Sequence, residues 1–214
     1  KLRGYESEGM LCSGVELGVS GNMYPGADYN GLLVLPEDAK TGSDVKPVLG
    51  LDDWIFDIAI TANRPDCQSI IGIAREIAAV LNKEFKMPDL SYTPSGEVKE
   101  GFKVDVKAND LCPRYIACYV SDVKIKEAPL WMKRRLAGMD SISNIVDITN
   151  YVLKEFGQPM HAFDCNYLEG NEINVRRAAD GEKIVTLDSQ EYELNSNNLV
   201  ICDGVKAGAL AGVM

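Results

Sequence analysis

The sequence is poor in the side chains that most often bind metals or phosphates. His161 is the only histidine in 214 residues, and none of the six cysteines forms a C-x-x-C pair. The usual Cys–His patterns of a zinc site are therefore missing. Neither G-x-G-x-x-G nor a Walker pattern occurs, which excludes the common phosphate-binding loops. We predict that this chain has no metal site and no cofactor of its own.

Basic residues are in the minority, with 22 Lys and Arg against 32 Asp and Glu, for a net charge of −10. Because proteins hold nucleic-acid phosphates with Lys and Arg, this balance argues against a primary nucleic-acid anchor. The charge balance does not exclude a local basic patch. We interpret the densest basic cluster as a solvated helix face; it contains Lys124, Lys126, Lys133, Arg134 and Arg135.

Long apolar runs and a signal-peptide pattern are also absent, so we expect no membrane partner. We interpret the six cysteines as reduced, buried thiols of a cytoplasmic protein. Lys1 is not a start residue, and Met214 ends a stretch of small apolar residues. We therefore expect the chain to be an excised piece of a longer protein.

The composition, with 46% hydrophobic and 25% charged residues, is ordinary for a globular protein. Alternation and helical spacing predict an α+β fold with a mostly antiparallel sheet in a larger, mixed second part. The predicted helices are 68–82, 129–136 and 144–156. The predicted strands are 10–17, 32–35, 54–60, 102–107, 114–125, 172–177, 183–187, 191–194 and 199–202.

Turn residues and composition suggest four parts. Residues 1–36 read as the tail of a β domain, 37–88 as a small helical core domain, 89–101 as a linker rich in Pro, Ser and Gly, and 102–214 as the start of a further domain. Gly72 lies inside the first predicted helix, where glycine lowers helix stability relative to alanine. Close packing at this position would explain why a glycine is present. That helix has one predicted buried face, formed by Ile70, Ile73, Ala74, Ile77, Val80 and Leu81.

Two polar residues are the main candidates for chemistry. A neutral imidazole donates from one nitrogen and accepts at the other, so His161 is suited to orient a water molecule or hold a hydroxyl group. The alternative is a hydrogen-bonded structural histidine. Asn150 offers amide donors and an acceptor on the predicted helix 144–156; the alternative is a helix-surface residue or a local backbone cap. We expect Asp147 on the same helix to form a cap or an ion pair.

Small residues near the end of the chain have a possible steric use. Ala211 and Gly212 lie in the segment Leu210-Ala211-Gly212-Val213-Met214, and small side chains let a backbone approach a ligand closely. The alternative is a sheet edge built from small residues.

Three segments together resemble the β subunit of bacterial phenylalanyl-tRNA synthetase. They are Asn63-Arg64-Pro65-Asp66 with Gly72-Ile73-Ala74-Arg75-Glu76, then Asn144 to Leu153 followed by Gly157-Gln158-Pro159-Met160-His161-Ala162-Phe163-Asp164, and finally Leu210 to Met214. They occur in the family's order over nearly the whole chain. The resemblance identifies residues 1–36 with the OB-like tRNA-binding domain and residues 102–214 with the first part of the editing domain.

The resemblance implies an α2β2 ligase that uses ATP and Mg2+ to attach phenylalanine to its tRNA. Its synthetic site lies in the α subunit, so the expected partners are the α subunit and tRNA, and no DNA partner is expected. The β subunit contributes an editing site that hydrolyses tyrosine wrongly attached to the phenylalanine tRNA. In the family, the segment that matches Gln158 to Asp164 lines this pocket, and the matching Asn-Tyr pair faces it.

The resemblance implies a role for six residues of this chain. His161 and Asn150 would position the ester and the attacking water, and the pocket wall would contain Pro159, Ala162, Ala211 and Gly212. In the family a downstream glutamate reads the tyrosine hydroxyl, and it would lie beyond Met214. We therefore expect the isolated chain to be inactive. Asp140 departs from family members that carry arginine, which puts an arginine-based role there in doubt.

Two rival interpretations are kept. In the first rival, the region is a non-catalytic structural module that packs against the α subunit, which the acidic charge, Asp140 and the single histidine favour. In the second, the chain is a stand-alone small-molecule hydrolase.

Overall fold

The structure is a computed structural model that describes residues 3–28, 30–94, 96, 100–136 and 138–212. The chain folds as two compact units. The first comprises residues 1–89 and 124–162, and the second comprises residues 90–123 and 163–214. Among the described residues, the α-helices fall in the first unit and the β-strands fall in the second. The predicted α+β fold is confirmed.

The first unit contains α1 (Val45–Leu49), α2 (Ile70–Val80), α3 (Leu130–Arg135) and α4 (Asn144–Phe156), with a 3₁₀ turn at Pro65–Gln68. Side chains cap the N-termini of three helices: Asp44, Ser69 and Ser143 each accept a backbone N–H of the first turn, which satisfies a donor that the helix leaves free. All three predicted helices are confirmed. The short helix α1 was missed because five residues around Pro47 are too few for a periodic pattern.

Two apolar clusters form the core of the first unit. One is built from Val19, Tyr24, Ala27 and Leu49, and Leu130 of α3 packs against it. The other consists of Ala128, Met132 and Leu136 with Met139 and Tyr151 around them. The second cluster joins α3 to α4.

The predicted buried face of α2 is wrong. Ile77 is 47% exposed and Val80 is 75% exposed, whereas Ile71, Gly72 and Ala78 are buried. A Cβ at Gly72 would lie 1.7 Å from the Asp66 carbonyl oxygen, so the predicted close packing at this glycine is confirmed. Periodicity identifies an apolar stripe but not the side on which the packing partner lies. Here the buried side of the helix contains Ile71, Gly72 and Ala78, and Ile73 and Ala74 of the predicted stripe are half-buried.

The second unit is built on a four-stranded sheet in the order β1 (Lys103–Val106), β2 (Glu172–Arg177), β5 (Leu199–Cys202) and β6 (Ala207–Leu210). β1 runs parallel to β2, and the other pairs are antiparallel. β3 (Lys183–Val185) and β4 (Glu191–Glu193) form a separate antiparallel hairpin. The mostly antiparallel sheet is therefore confirmed, and β6 is an addition that its small residues did not predict.

One apolar cluster of the second unit lies on the side of the sheet that carries Val200 and Cys202, while Ile173 and Val175 are buried on the other side. Val200 and Cys202 of β5 pack with Ala178, Ile184 and Leu194, and Ala207 and Leu210 of β6 cover the cluster. Positive backbone φ at Gly181 allows the turn before β3, in agreement with the predicted Asp180-Gly181 turn.

Four predicted strands are not formed. Segments 10–17, 32–35, 54–60 and 114–125 contain no paired strand in the part of the chain that the structure describes. Trp54, Ile55 and Phe56 are 85%, 95% and 77% exposed. Alternating apolar residues make a segment competent to form a strand, but a strand also needs a neighbour that completes its hydrogen bonds.

The predicted limit at 88 lies one residue from a boundary between the units, whereas the limits at 36 and 101 do not coincide with one. Residues 124–162, which fall inside the predicted part 102–214, belong to the first unit. The division into four parts stays a prediction. Positions 95 and 97–99 of the predicted linker lie outside the described residues.

Candidate functional site

Helix α4 carries the first candidate, Asn150. The Ser143 side chain accepts from the Val146 amide at the start of the helix. At its end Gly157 adopts φ 74°, and its N–H bonds the Leu153 carbonyl. A polar cap before the helix and a left-handed glycine after it are the sequence signals that end a helix sharply. Asn150 is half-buried near the middle of this helix.

The first turn of α4 is tied to a distant part of the same unit through Asn144. Its Oδ1 accepts from the Lys126 amide at 3.2 Å, and its Nδ2 donates to the Lys124 carbonyl at 3.1 Å. The Asn144 amide itself donates to the Lys126 carbonyl at 2.8 Å. One residue thus makes three hydrogen bonds to segment 124–126, much as a strand partner would.

Asp147 lies one turn further along α4 and is completely buried. Its Oδ2 accepts from the Ser141 hydroxyl at 2.6 Å, and its Oδ1 accepts from the Ile142 amide at 3.2 Å. Asp147 therefore forms a cap, as expected, because its carboxylate accepts hydrogen bonds from the residues just before the helix. Its position in the first turn also places negative charge at the positive end of the helix dipole.

Tyr151 fixes the other side of α4. Its ring meets the Trp131 ring of α3 at 5.5 Å in an edge-to-face arrangement, a geometry favoured by aromatic quadrupoles. Burial, together with a hydrogen bond to Glu155, raises the pKa of the Tyr151 phenol. The tyrosine of the Asn-Tyr pair thus packs with the α3–α4 core.

The segment that follows α4 carries the second candidate, His161. Pro159, Met160, His161 and Ala162 are exposed. The Gln158 side chain donates to the Pro159 carbonyl at 3.0 Å. His161 and Asn150 belong to the same compact unit, and the imidazole is accessible to solvent and to a substrate.

Ala211 and Gly212 belong to the other unit, directly after β6. The Ala211 amide donates to the Leu199 carbonyl at 2.9 Å, which extends the sheet by one bond. Gly212 adopts φ 76°, and a Cβ there would meet nothing within 4 Å. Space for a close approach is therefore present at this backbone. Val213 and Met214 of the same segment lie outside the described residues.

The interpretation of the basic cluster as a solvated face holds only in part, because Lys124, Lys126 and Arg135 are exposed whereas Lys133 is buried. Lys133 is buried and pairs with Glu127 at 3.0 Å, and Arg135 pairs with Asp53 at 3.3 Å. The Arg134 guanidinium donates to the Val48 carbonyl near the end of α1, where a helix leaves carbonyl groups unpaired. The side chains of all three residues therefore have partners within the protein.

Asp140 also has a protein partner. The Asn22 side-chain amide donates to its carboxylate at 2.9 Å. The residue that departs from the family's arginine therefore ties the loop before α4 to the region around residue 22.

The structure offers little for a metal or a membrane. Among the described residues, no group of three or more His, Cys, Asp and Glu side chains is placed to hold an ion, and no described helix is long and apolar enough to span a bilayer. The six cysteines are free thiols, as expected, but only Cys67 and Cys202 are buried and Cys118 is exposed. The expectation that all six are buried is wrong.

A cavity of about 430 Å³ occurs in the first unit, at some remove in sequence from the candidates. Tyr24, Leu35, Leu130 and Lys133 are among the residues that line it, and none of the six predicted site residues does. Sequence reasoning missed two polar residues that hold α4, Asn144 and Ser141. Both flank the Ser143 cap, but no local pattern indicates their hydrogen-bond partners.

Comparison with known proteins defines the class first. Residues 111–214 match the family model of the B3/4 domain. This range contains α3, α4 and the strands from β2 to β6.

The chain as a whole also matches known proteins over its full length. It is 49% identical over 217 residues to the phenylalanine–tRNA ligase β subunit of Syntrophus aciditrophicus (strain SB), covering all of this chain and 26% of that protein. The corresponding subunits of Clostridium acetobutylicum and Bacillus cereus (strain ZK / E33L) are 49% and 46% identical, with 27% of each covered. The predicted resemblance to this β subunit is confirmed, and the chain spans about a quarter of the length of these relatives.

Proposed function

We propose that the chain is part of the β subunit of a phenylalanine–tRNA ligase and contributes to an editing site that hydrolyses tyrosine from mischarged phenylalanine tRNA. The observation that carries this proposal is the 49% identity over the full chain to named β subunits. The candidate residues fit it, because Asn150 lies on a tightly tethered helix and His161 is exposed beyond the end of that helix.

The proposed chemistry is hydrolysis of the ester that links the amino acid to the tRNA. An imidazole both donates and accepts hydrogen bonds, so His161 would orient the attacking water. The Asn150 amide would bind the ester or the water through its donors. Pro159 and Ala162 are exposed beside His161 and would shape the wall of the pocket. The wall role that the resemblance implies for Ala211 and Gly212 stays a prediction.

Selection of tyrosine depends on its single additional hydroxyl group. An apolar pocket rejects such a group weakly, whereas a pocket with polar groups for the hydroxyl rejects phenylalanine strongly, because those groups would be left unpaired. In the family a glutamate reads the hydroxyl group.

The remaining functions belong to the whole enzyme. We propose that the α subunit activates phenylalanine with ATP and Mg2+ and that both subunits act on tRNA in the cytoplasm. The net charge of −10 and the engagement of Lys133, Arg134 and Arg135 by the protein make this region a poor primary anchor for the tRNA backbone.

The experiment is deacylation of Tyr-tRNA by the full-length α2β2 enzyme, with wild type compared with His161→Ala and Asn150→Ala. We expect each variant to lower the rate tenfold or more, which corresponds to about 1.4 kcal/mol of transition-state stabilisation. Phenylalanylation should stay at the wild-type rate. Met160→Ala is the matched control, because Met160 is the exposed neighbour of His161 and has no proposed role. Wild-type deacylation by both variants would exclude the editing role.

A second candidate is a non-catalytic module for subunit interaction. The exposed apolar side chains of Trp54, Ile55 and Phe56 favour it, since contiguous apolar surface often marks an interface. If His161→Ala leaves deacylation unchanged while Ile55→Asp weakens α2β2 assembly in analytical ultracentrifugation, this second candidate replaces the first.

A further inference from the structure

Asp147 is a buried titratable group that the proposed chemistry does not use. It is 0% exposed, the lowest value among the buried polar and charged side chains of the described residues. Removing a carboxylate from water costs free energy unless hydrogen bonds replace its hydration. The observed replacements are the Ser141 hydroxyl at 2.6 Å and the Ile142 amide at 3.2 Å, and a hydrogen bond to an ionised acceptor is stronger than a neutral one.

These two bonds join the loop before α4 to the helix itself. The loop is also held at its other end, because Asp140 accepts from the Asn22 amide. Asn144 adds three hydrogen bonds to the segment at Lys124 and Lys126. The N-terminal half of α4 is thus tied to two separate parts of the first unit by polar side chains.

These ties are not needed to form the helix. The Ser143 cap and the Gly157 terminus already define where α4 begins and ends, and its apolar side packs through Tyr151. An apolar contact tolerates small sliding and rotation, whereas hydrogen bonds weaken steeply when their angles change, and this carboxylate accepts two of them. The polar ties therefore define the position and rotation of the helix.

Asn150 follows Asp147 by three residues on the same helix, which is about 4.5 Å along the helix axis. A shift of the helix at Asp147 is passed almost unchanged to Asn150, because the backbone between them is fully helical. Displacements of about 1 Å at a reacting group reduce rates by up to about a hundredfold.

We infer that Asp147 and Asn144 are positioning residues for the editing reaction, and that they act by holding Asn150 in place. Ser141 serves the same purpose through Asp147. The inference rests on the proposed editing function.

The test uses the full-length α2β2 enzyme with the variants Asp147→Asn, Ser141→Ala and Ser141→Thr. An asparagine at position 147 keeps the size of the side chain, but its amide nitrogen cannot accept, so one of the two donors loses its partner. Threonine at position 141 keeps the hydroxyl group and serves as the conservative rescue. Asp44→Ala is the matched control, since it removes an exposed helix cap in the same unit without contact to α4.

We expect Asp147→Asn to lower kcat for Tyr-tRNA deacylation about tenfold, with KM changed less than about twofold. Ser141→Ala should lower kcat about threefold, and Ser141→Thr should restore it. Asp44→Ala should match wild type in kcat, and phenylalanylation should be unchanged in all four variants. A purely structural role would instead reduce both activities together, in proportion to the folded enzyme.

The variant His161→Ala distinguishes a failure of the positioning role from a failure of the editing function. If His161→Ala loses deacylation while Asp147→Asn keeps the wild-type kcat, the positioning role is wrong and the editing function stands. If His161→Ala and Asn150→Ala both keep wild-type deacylation, the editing function is wrong, and the positioning role falls with it. A parallel loss of deacylation and phenylalanylation in Asp147→Asn would also overturn the positioning role.

Discussion

The two units of this chain are held in place by different kinds of hydrogen bond. In the sheet unit, backbone ladders join β1, β2, β5 and β6, and few side chains are needed to set their register. In the helical unit, each helix satisfies its own backbone, so side chains such as Asn144, Asp147 and Arg134 connect the elements. A helical scaffold can therefore be displaced by one polar substitution, whereas a sheet distributes the same constraint over many bonds.

The two buried aspartates, one in each unit, show the same difference in hydrogen bonding. Asp147 accepts one hydroxyl and one amide, whereas Asp203 accepts the amides of Glu169, Val205 and Lys206. Burial raises the pKa of Asp203, but the three amide bonds outweigh it, so the net shift is downward. Asp203 closes the turn between two paired strands, and Asp147 holds a loop that has no ladder.

The largest effect is expected for Asp147→Ala. It leaves the Ser141 hydroxyl and the Ile142 amide without their acceptor and opens a void, so we expect a loss of about 3 kcal/mol in the free energy of unfolding. Asp203→Ala should cost about 2 kcal/mol, because its turn is less deeply buried and flanked by paired strands. Urea denaturation of both variants measures the difference. An equal or larger loss for Asp203→Ala would contradict the comparison of the two units.

The next effect concerns close packing in the helical unit. Gly72→Ala places a methyl group 1.7 Å from the Asp66 carbonyl oxygen, so the 3₁₀ turn must move, at a cost of about 2 kcal/mol. Gly208→Ala is the matched control in the sheet unit, where the nearest atom would be the Ile201 carbonyl oxygen at 3.7 Å. We expect Gly208→Ala to change the free energy of unfolding by less than about 0.5 kcal/mol. Thermal denaturation of both variants measures this difference. A larger loss of stability for Gly208→Ala than for Gly72→Ala would contradict the prediction.

The smallest effect concerns an ion pair of the sheet unit and depends on pH. The hydrogen bonds from the Arg176 guanidinium lower the pKa of the Glu182 carboxyl to about 2, against about 4.3 in an unfolded chain. The pair therefore stabilises the fold above about pH 5, and its contribution is lost as the pH falls toward 2. We expect Glu182→Gln to cost about 1 kcal/mol at pH 7 and almost nothing near pH 2.

The exposed pair of Lys183 and Glu191 provides the control for this pH dependence. Both of its side chains are more than half exposed, and such pairs contribute little. The free energy of unfolding of Glu191→Gln should therefore run parallel to wild type between pH 7 and pH 3. If the difference in free energy of unfolding between Glu191→Gln and wild type also disappears on acidification, the pH dependence is not specific to the ion pair of Arg176.

Local signals predicted the elements whose ends they mark. Helix α4 was predicted at its observed bounds because Ser143 and Gly157 flank it, and β2 and β5 were predicted at theirs because turns separate them. The segments at 54–60 and 114–125 show the limit of this approach, since alternation cannot reveal whether a pairing neighbour exists. The burial of α2 was missed for a similar reason, because periodicity does not reveal on which side of the helix the packing partner lies.

The candidate site was predictable in its residues but not in its supports. Asn150 and His161 stand out by residue type and motif. The role of Asn144 depends on residues 124 and 126, and no local pattern connects them. Asp147 was expected to cap or pair, yet no local pattern predicts its complete burial.

The parallel pairing of β1 with β2 has a consequence for the synthesis of this protein. Lys103 pairs with Glu172, so β1 leaves the ribosome well before its neighbour exists. At about 5–20 residues per second, the delay is on the order of ten seconds. During that time the residues of α3 and α4 are synthesised and can pack on the earlier residues of the first unit. Helix α4, which carries Asn150, can therefore form before the sheet closes.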